Sequence, residues 1–258
     1  MASLALQREM EGRFEVVVVD DGSKDRTHDV VHQFARTANF PVKLTTHEHD
    51  GFRVSLCRND GIRASVGSYI LISDSDCLFP PHHLARHLAA RKPGVIRAGN
   101  CYRLERDATE KLTIDDVARE TYRHRVSLTE RYRVWRRWLS DVRYQLQGRP
   151  NKPKLFGFNI AVSRADLEAV NGFDEDYVGW GCEDDDFAAR MRMVGCQIRT
   201  ASSYTVAYHM WHPVDPSYPG VWSMGANVDR LLRRPRQIQC IRGLRDFSQR
   251  TDSAGRAA

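Results

Sequence analysis

The stretch SYILISDSDC, residues 68–77, sets a short apolar run against two aspartates, and its reading decides the fold. The apolar part has strand length and is bounded by turn residues, so it reads as a buried strand running into Asp74, Ser75 and Asp76. Upstream, FEVVVVDDGS gives a second buried strand from Phe14 to Val19 that ends at Asp20, and SKDRTHDVVHQFART follows as a helix with Ser23 as N-cap. VKLTTHE is a short strand, and RVSLCRNDGIRASV is a helix that Gly67 ends. Downstream, PPHHLARHLAARK opens a helix with proline, whose missing N–H is harmless in a first turn. Strands alternating with helices imply an α/β class: right-handed βαβ units and a mixed, mostly parallel sheet flanked by helices. Ligands of such sheets bind beyond the carboxyl ends of the strands, where both Asp20/Asp21 and Asp74/Asp76 fall.

The remainder is organised differently. From Thr113 to Gln147 the chain is helical, rich in arginine and dotted with Tyr122, Tyr132, Trp135, Trp138 and Tyr144, and it closes on the breaker run QGRPNKPK. LFGFNIAVS then reads as a strand and RADLEAV as a short helix ended by Asn171 and Gly172. EDDDFAARMRMVG is an amphipathic helix with its acids in the first turn, where the helix dipole favours them, and QIRTASSYTVAYHMWHP reads as a strand pair. With 258 residues, 41% of them hydrophobic, a single domain is expected.

A net charge of +6 hides an asymmetry, because Arg and Lys crowd the segment from Arg119 to Lys154 and the tail after Arg230. That balance suits anionic partners, namely nucleotides, phosphorylated lipids, an acidic polymer or a membrane surface, with a solvated helix face the plainer alternative; nucleic acid is the less favoured partner of the Arg/Trp/Tyr segment. No apolar run approaches the ~20 residues that span a bilayer, and the N-terminus lacks the basic and apolar regions of a secretory signal. The six cysteines form no CxxC pair and no His/Cys ligand spacing, which argues for reduced thiols, a cytoplasmic location and against a zinc module.

Asp74 and Asp76, at i and i+2 of an extended strand end, share a face and suit a hard divalent ion such as Mg2+ or Mn2+; a capped loop is the plainer alternative. In DYVGWGCEDDDFAARM, residues 176–191, helical geometry splays the four acids at about 100° intervals, so they cannot all face one ligand. Together EVVVVDDGSKDRT, GFRVSLCRNDGI, GSYILISDSDC, FNIAVSRADLEAVNGFDEDYVGWGCEDDDFAARM and AYHMWHP resemble family 2 glycosyltransferases, and more closely the subgroup with a galactosyltransferase-like C-terminal half. The matching segments run from Phe14 to Pro213 in family order.

The resemblance implies a nucleotide-diphospho-sugar transferase (GT-A) fold and a metal-dependent, inverting hexosyltransferase that uses Mn2+ or Mg2+. It would move a sugar from a nucleotide diphosphate, UDP by default, to a hydroxyl acceptor such as a glycan or lipid-linked saccharide. About residues 1–100 would form the nucleotide-sugar-binding half and 150–213 the acceptor and catalytic half, with 113–150 a basic helical insertion and 230–258 a basic tail. Asp21 would accept a hydrogen bond from the nucleobase, Arg53 would contact base or phosphate, and Asp74 would face the ribose or the metal. Asp76 and His209 would be metal ligands, His212 competing with His209; Asp184 would be the general base, with Glu183 and Trp180 binding the acceptor. Asp185 and Asp186 would cap the helix, or Asp186 would pair with Arg190. The resemblance also implies a first strand ahead of this Met1, inside the sheet; without it backbone groups are left unpaired, and an inactive, binding-only relative is the alternative reading.

Overall fold

The computed structural model describes residues 1–149, 152–218, 220, 225–233 and 237–248. In chain order the elements are α1 (Ala2–Ala5), β1 (Val16–Asp20), α2 (Thr27–Ala35), β2 (Val42–Thr46), α3 (Val54–Ala64), β3 (Tyr69–Ile72) and β4 (Cys77–Leu78). Then come α4 (His83–Ala89), β5 (Val95–Ala98), β6 (Asn100–Arg103), α5 (Arg106–Glu110), α6 (Ile114–Ala118) and, after a 3-10 turn, α7 (Leu128–Leu146). The last part holds β7 (Ile160–Ser163), α8 (Arg164–Ala169), α9 (Glu183–Met193), β8 (Gln197–Thr200), β9 (Val206–His209) and α10 (Ala226–Arg233).

The α/β alternation stands as the apolar runs implied. β1 pairs parallel with β2, a second sheet runs β3-β7-β5-β8, and a third runs β4-β9-β6. β7 is antiparallel to both its neighbours and β4 to β9, whereas β5–β8 and β6–β9 are parallel. Among the described residues the sheet is therefore mixed without a parallel majority. The long helical segment before β7 lets the chain re-enter the sheet from the opposite end. β8 and β9 are both strands but lie in different sheets instead of pairing together.

Local chemistry explains most element ends. Ser163 caps α8 by accepting the Asp166 N–H, Ser127 caps α7 through Glu130, and Thr113 with Asp116 forms a capping box on α6. Asn171 and Gly172 leave the helical region at φ 63° and 71° just past α8. Ser23 is a correction. Its N–H donates to the Asp20 carboxylate, so it belongs to the turn after β1, and α2 starts later at Thr27, whose N–H donates to Asp25.

The main core joins β5, β7 and β8 to α8 and α9 through Ile96, Ile160, Val162, Leu167, Phe173, Phe187 and Met191. Burying each such side chain contributes roughly 1.5–3 kcal/mol. Phe187, Ala188 and Met191 fix the rotation of α9, and with it the direction of the carboxylates on its first turn. A second apolar cluster, including Leu78, Leu104, Tyr122 and Tyr208, seats β4 and β9 against the α6 region. Buried Asn159 ties these layers together by donating to the Asn100 and Thr205 carbonyls, while a Cβ on Gly99 would lie 2.2 Å from its side chain. β1 is paired only with β2, and β3 only with β7, among the described residues, so each has one unpaired edge there. No described helix is long and apolar enough to cross a membrane.

Candidate functional site

The carboxyl ends of β1 and β2 form the first wall. Asp20 is buried and accepts hydrogen bonds from the Ser23 N–H, the Thr46 hydroxyl and His28. Against the cost of burial, these donors hold its carboxyl well below the usual range. Asp20 is thus committed to the turn, and Asp21 turns outward. Asp21 lines a cavity of about 470 Å³ with Gly22, Ser23, Lys24, Glu48 and His49. Gly22, at φ 69°, is required there, because a Cβ would sit 2.6 Å from the His49 nitrogen. Arg53 stands at the start of α3 and pairs with Asp50.

The second wall is the DSD turn. β3 stops at Ile72, and Cys77 N–H closes a turn onto the Asp74 carbonyl, so the two aspartates meet through a turn and not through the pleat of an extended strand. The antiparallel register Cys77↔His209 then brings the end of β9 against Asp76. Asp76 Oδ2 lies 3.4 Å from His209 Nε2 and 3.3 Å from His212 Nε2. Each ring places its Nδ1 on a carbonyl, Met210 for His209 and Pro213 for His212, which leaves both Nε2 lone pairs aimed at Asp76. Asp76 Oδ1 is buried without a partner among the described residues. An orphaned carboxylate oxygen beside two oriented imidazoles fits a divalent cation, and both histidines converge on it instead of one displacing the other.

The third wall is the start of α9. Gly179 and Gly181 at φ 80° and 95°, then Cys182 at φ 71°, bend the chain sharply into the helix; the left-handed Cys182 is the strained member. The Gly179 N–H donates to the Phe52 carbonyl and fastens this bend to the loop holding Arg53. Trp180 is half-buried, edge-on to Tyr218 at 4.5 Å. The four acids separate as helical geometry requires. Asp186 forms a buried pair with Arg190 at 2.7 Å, Asp185 meets Lys154 at 3.0 Å, and Glu183 and Asp184 face inward.

Arg58 of α3 joins the walls, and nothing in the sequence reading singled it out. Its Nη1 donates to Asp184 at 2.8 Å and Glu183 at 3.1 Å, while the Gly157 N–H donates to the other Asp184 oxygen at 2.8 Å. A Cβ on Gly157 would lie 1.5 Å from the guanidinium, so this glycine makes room for it. Burial opposes the Arg58 charge, but Asp184 and Glu183 outweigh it and hold it firmly protonated. Burial first, then the Asp184 charge, pushes Glu183 up to about 7 despite Arg58. Asp74 is exposed on the DSD turn, yet feels the charges of both the cation cluster and this clamp. Desolvation by the surrounding protein raises its pKa, to the limited extent that an exposed side chain allows, Arg58 pulls it down, and Asp76 and Asp184 raise it again.

The structure thus brings Asp74, Asp76, His209, Glu183 and Asp184 into one region, with Trp180 and Arg53 on adjoining loops and Asp21 at the neighbouring strand end. The signal that would have found Arg58 is weak: an arginine five residues after Arg53, on the helix that Arg53 opens.

Three kinds of resemblance accompany this geometry. Residues 1–170 match the glycosyl transferase family 2 pattern, and residues 138–213 match the one described as N-terminal domain of galactosyltransferase. A validoxylamine A glucosyltransferase of Streptomyces hygroscopicus subsp. limoneus is 29% identical over 254 residues, covering 91% of this chain and 52% of its own length. The chondroitin synthase of Escherichia coli is 25% identical over 215 residues, covering 78% of this chain and 31% of its own. The chain therefore spans about half, or less, of the length of these relatives. A mannosyltransferase of Pyrobaculum calidifontis, solved with GDP-Man and Mn2+, superimposes with a TM-score of 0.54 at 24% identity, over 80% of this chain and 50% of that one. That likeness shows a GT-A fold. With a family pattern covering about two thirds of the chain, from α1 through β7, and a galactosyltransferase-like region covering the β7–β9 part, the chain belongs to glycosyl transferase family 2.

Proposed function

We propose that this chain transfers a hexosyl group, with inversion, from a nucleotide diphosphate to a hydroxyl acceptor. One observation carries the reading: the Asp76–His209–His212 cluster and the Arg58–Glu183–Asp184 clamp are close enough for Asp74 to feel the charges of both, which suits a cation-held diphosphate beside a base. Asp76, His209 and His212 would hold the ion. Two imidazoles beside one carboxylate suit Mn2+ better than Mg2+, which prefers oxygen ligands. A bound divalent ion supplies charge stabilisation for the leaving diphosphate.

The remaining steps belong to the chain's own residues. Asp21 and Arg53 hold the nucleotide side of the donor, with UDP the nucleotide the family resemblance favours, and Asp74 faces the ribose or the ion. Asp184, oriented by Arg58 and Gly157, takes the proton from the acceptor hydroxyl as that oxygen attacks the anomeric carbon. Glu183, whose upward shift keeps a proton available near neutrality, donates a hydrogen bond to the acceptor sugar, and Trp180 gives that sugar a stacking surface. The acceptor is a glycan or lipid-linked saccharide. An apolar stripe on α7, Leu128, Tyr132, Trp135, Leu139 and Leu146, all exposed and interleaved with arginines, supports approach to an anionic membrane surface.

The test is a donor screen with Mn2+ that reads released nucleotide diphosphate, followed by Asp184→Asn. The variant should lose about 10²–10⁴-fold in transfer while still binding donor. An Asp184→Asn protein with full activity would remove the base assignment.

A further inference from the structure

A second group of metal-binding side chains lies away from Asp76. Asp21 follows β1, His47 follows β2, and the parallel register Asp20↔Thr46 sets these two residues side by side. Cys57 and Asp60, three apart on α3, face them from the helix. His47 Nε2 lies 2.9 Å from Asp21 Oδ1 and 3.8 Å from Cys57 Sγ, and His47 Nδ1 lies 2.9 Å from Asp60 Oδ2. The outer Asp60 oxygen is held by Arg63 at 2.6 Å.

The arrangement has a built-in mismatch. A neutral imidazole carries one N–H and can satisfy one carboxylate, yet His47 has a carboxylate on each ring nitrogen. With Nδ1–H donated to Asp60, the Nε2 lone pair faces the Asp21 oxygen, two acceptors in contact. Either a second proton lies between them, or both atoms turn toward a cation beside them. The thiol favours the cation. A tetrahedral Zn2+ with Zn–N and Zn–S bonds of about 2.0 and 2.3 Å sets N and S roughly 3.6 Å apart, close to the 3.8 Å separation of His47 Nε2 and Cys57 Sγ. Asp60 then plays the part of the carboxylate that orients a ligating histidine. His49, whose Nδ1 is 3.1 Å from the second Asp21 oxygen, is the nearest further donor.

We propose that Asp21, His47 and Cys57, oriented by Asp60, form a Zn2+-class site distinct from the Asp76 cluster. Mixed O, N and S ligation selects a borderline-soft ion and disfavours Mg2+ and Mn2+. On binding, the Cys57 S–H bond breaks, its proton leaves to solvent, and the sulfur electron pair goes to the metal. Since Asp21 is the carboxylate assigned above to the nucleobase, an extension resting on that reading is that Zn2+ here competes with donor nucleotide.

Co2+ titrated into the full chain under reducing conditions should produce a thiolate-to-metal charge-transfer band that saturates stoichiometrically and is displaced by Zn2+. The band should vanish in Cys57→Ser and His47→Ala, persist in His209→Ala, and need about 10–100-fold more metal in Asp60→Asn, with far-ultraviolet circular dichroism confirming that each variant is folded. Absence of the band, or a band unchanged in folded Cys57→Ser, overturns the site. A second arm measures nucleotide binding with and without Zn2+. The band without competition upholds the metal site and tells against the nucleobase role of Asp21, so the two failures are distinguishable.

Discussion

Replacing Arg58 by methionine keeps the side chain's length and removes the charge that holds the Glu183–Asp184 pair. The contacts are 3.1 and 2.8 Å, and the Arg58 side chain is only 9% exposed. At about 3 Å and an effective dielectric constant of about 20, each pair gains roughly 5 kcal/mol of Coulomb energy, from which desolvation is subtracted. Removing one partner of such a buried group costs about 3–5 kcal/mol, because the remaining charges are left uncompensated. With a sensitivity of roughly 2–4 °C per kcal/mol for a chain of this size, the midpoint of thermal unfolding should fall by about 6–20 °C. The loss should depend on pH in a definite direction. Glu183 is already raised to about 7 in the folded protein, and losing Arg58 raises it further. A raised carboxyl stabilises the fold below its unfolded pKa of about 4.5, and that contribution is lost as pH rises through the folded value. The gap between wild type and Arg58→Met should therefore be narrower near about pH 5, where the Asp184 contact is the main loss, and widest near about pH 8. Urea or thermal denaturation across that range is the assay. An equal loss at both ends, or a loss under about 1 kcal/mol, would refute the reasoning that electrostatic clamping is what Arg58 does.

Other consequences are equally direct. Calorimetry should show Mn2+ affinity falling in Asp76→Asn, and falling in His212→Ala as well as His209→Ala, since both Nε2 atoms face the same oxygen; unchanged affinity in His212→Ala would leave His209 as the lone imidazole ligand. Trp180→Ala should raise KM for the acceptor about tenfold, with donor KM little changed, if its ring stacks on sugar. Trp135→Ser combined with Leu139→Ser, both on the exposed α7 stripe, should weaken co-sedimentation with anionic vesicles while leaving Mn2+ affinity untouched; unaltered sedimentation would remove α7 as the contacting face.

Much was legible from local pattern. Apolar runs of strand length fix β1, β2, β3 and β7, and the period of DFAARM fixes α9, because these depend on which residues alternate or recur along the chain. Helical geometry alone predicts that the four acids of the EDDD run must part, and the Asp186–Arg190 pair is what i, i+4 spacing implies. Ser23 was misjudged because a neighbouring buried carboxylate, Asp20, competes for its N–H, a contact that local propensity does not contain.

The sequence by itself determined the class of fold, the family, and which strand ends carry acidic side chains, since each follows from short-range spacing. Only the tertiary structure decided which of those groups meet. Arg58 reaches Asp184 across 126 positions, and His47 meets Asp21 across 26, with no spacing rule behind either. Such meetings are set by strand register and by how α3 and α9 rotate to bury their apolar faces. The same rotation turns a run of four acids into one core ion pair, one surface pair with Lys154, and two carboxylates facing the cleft.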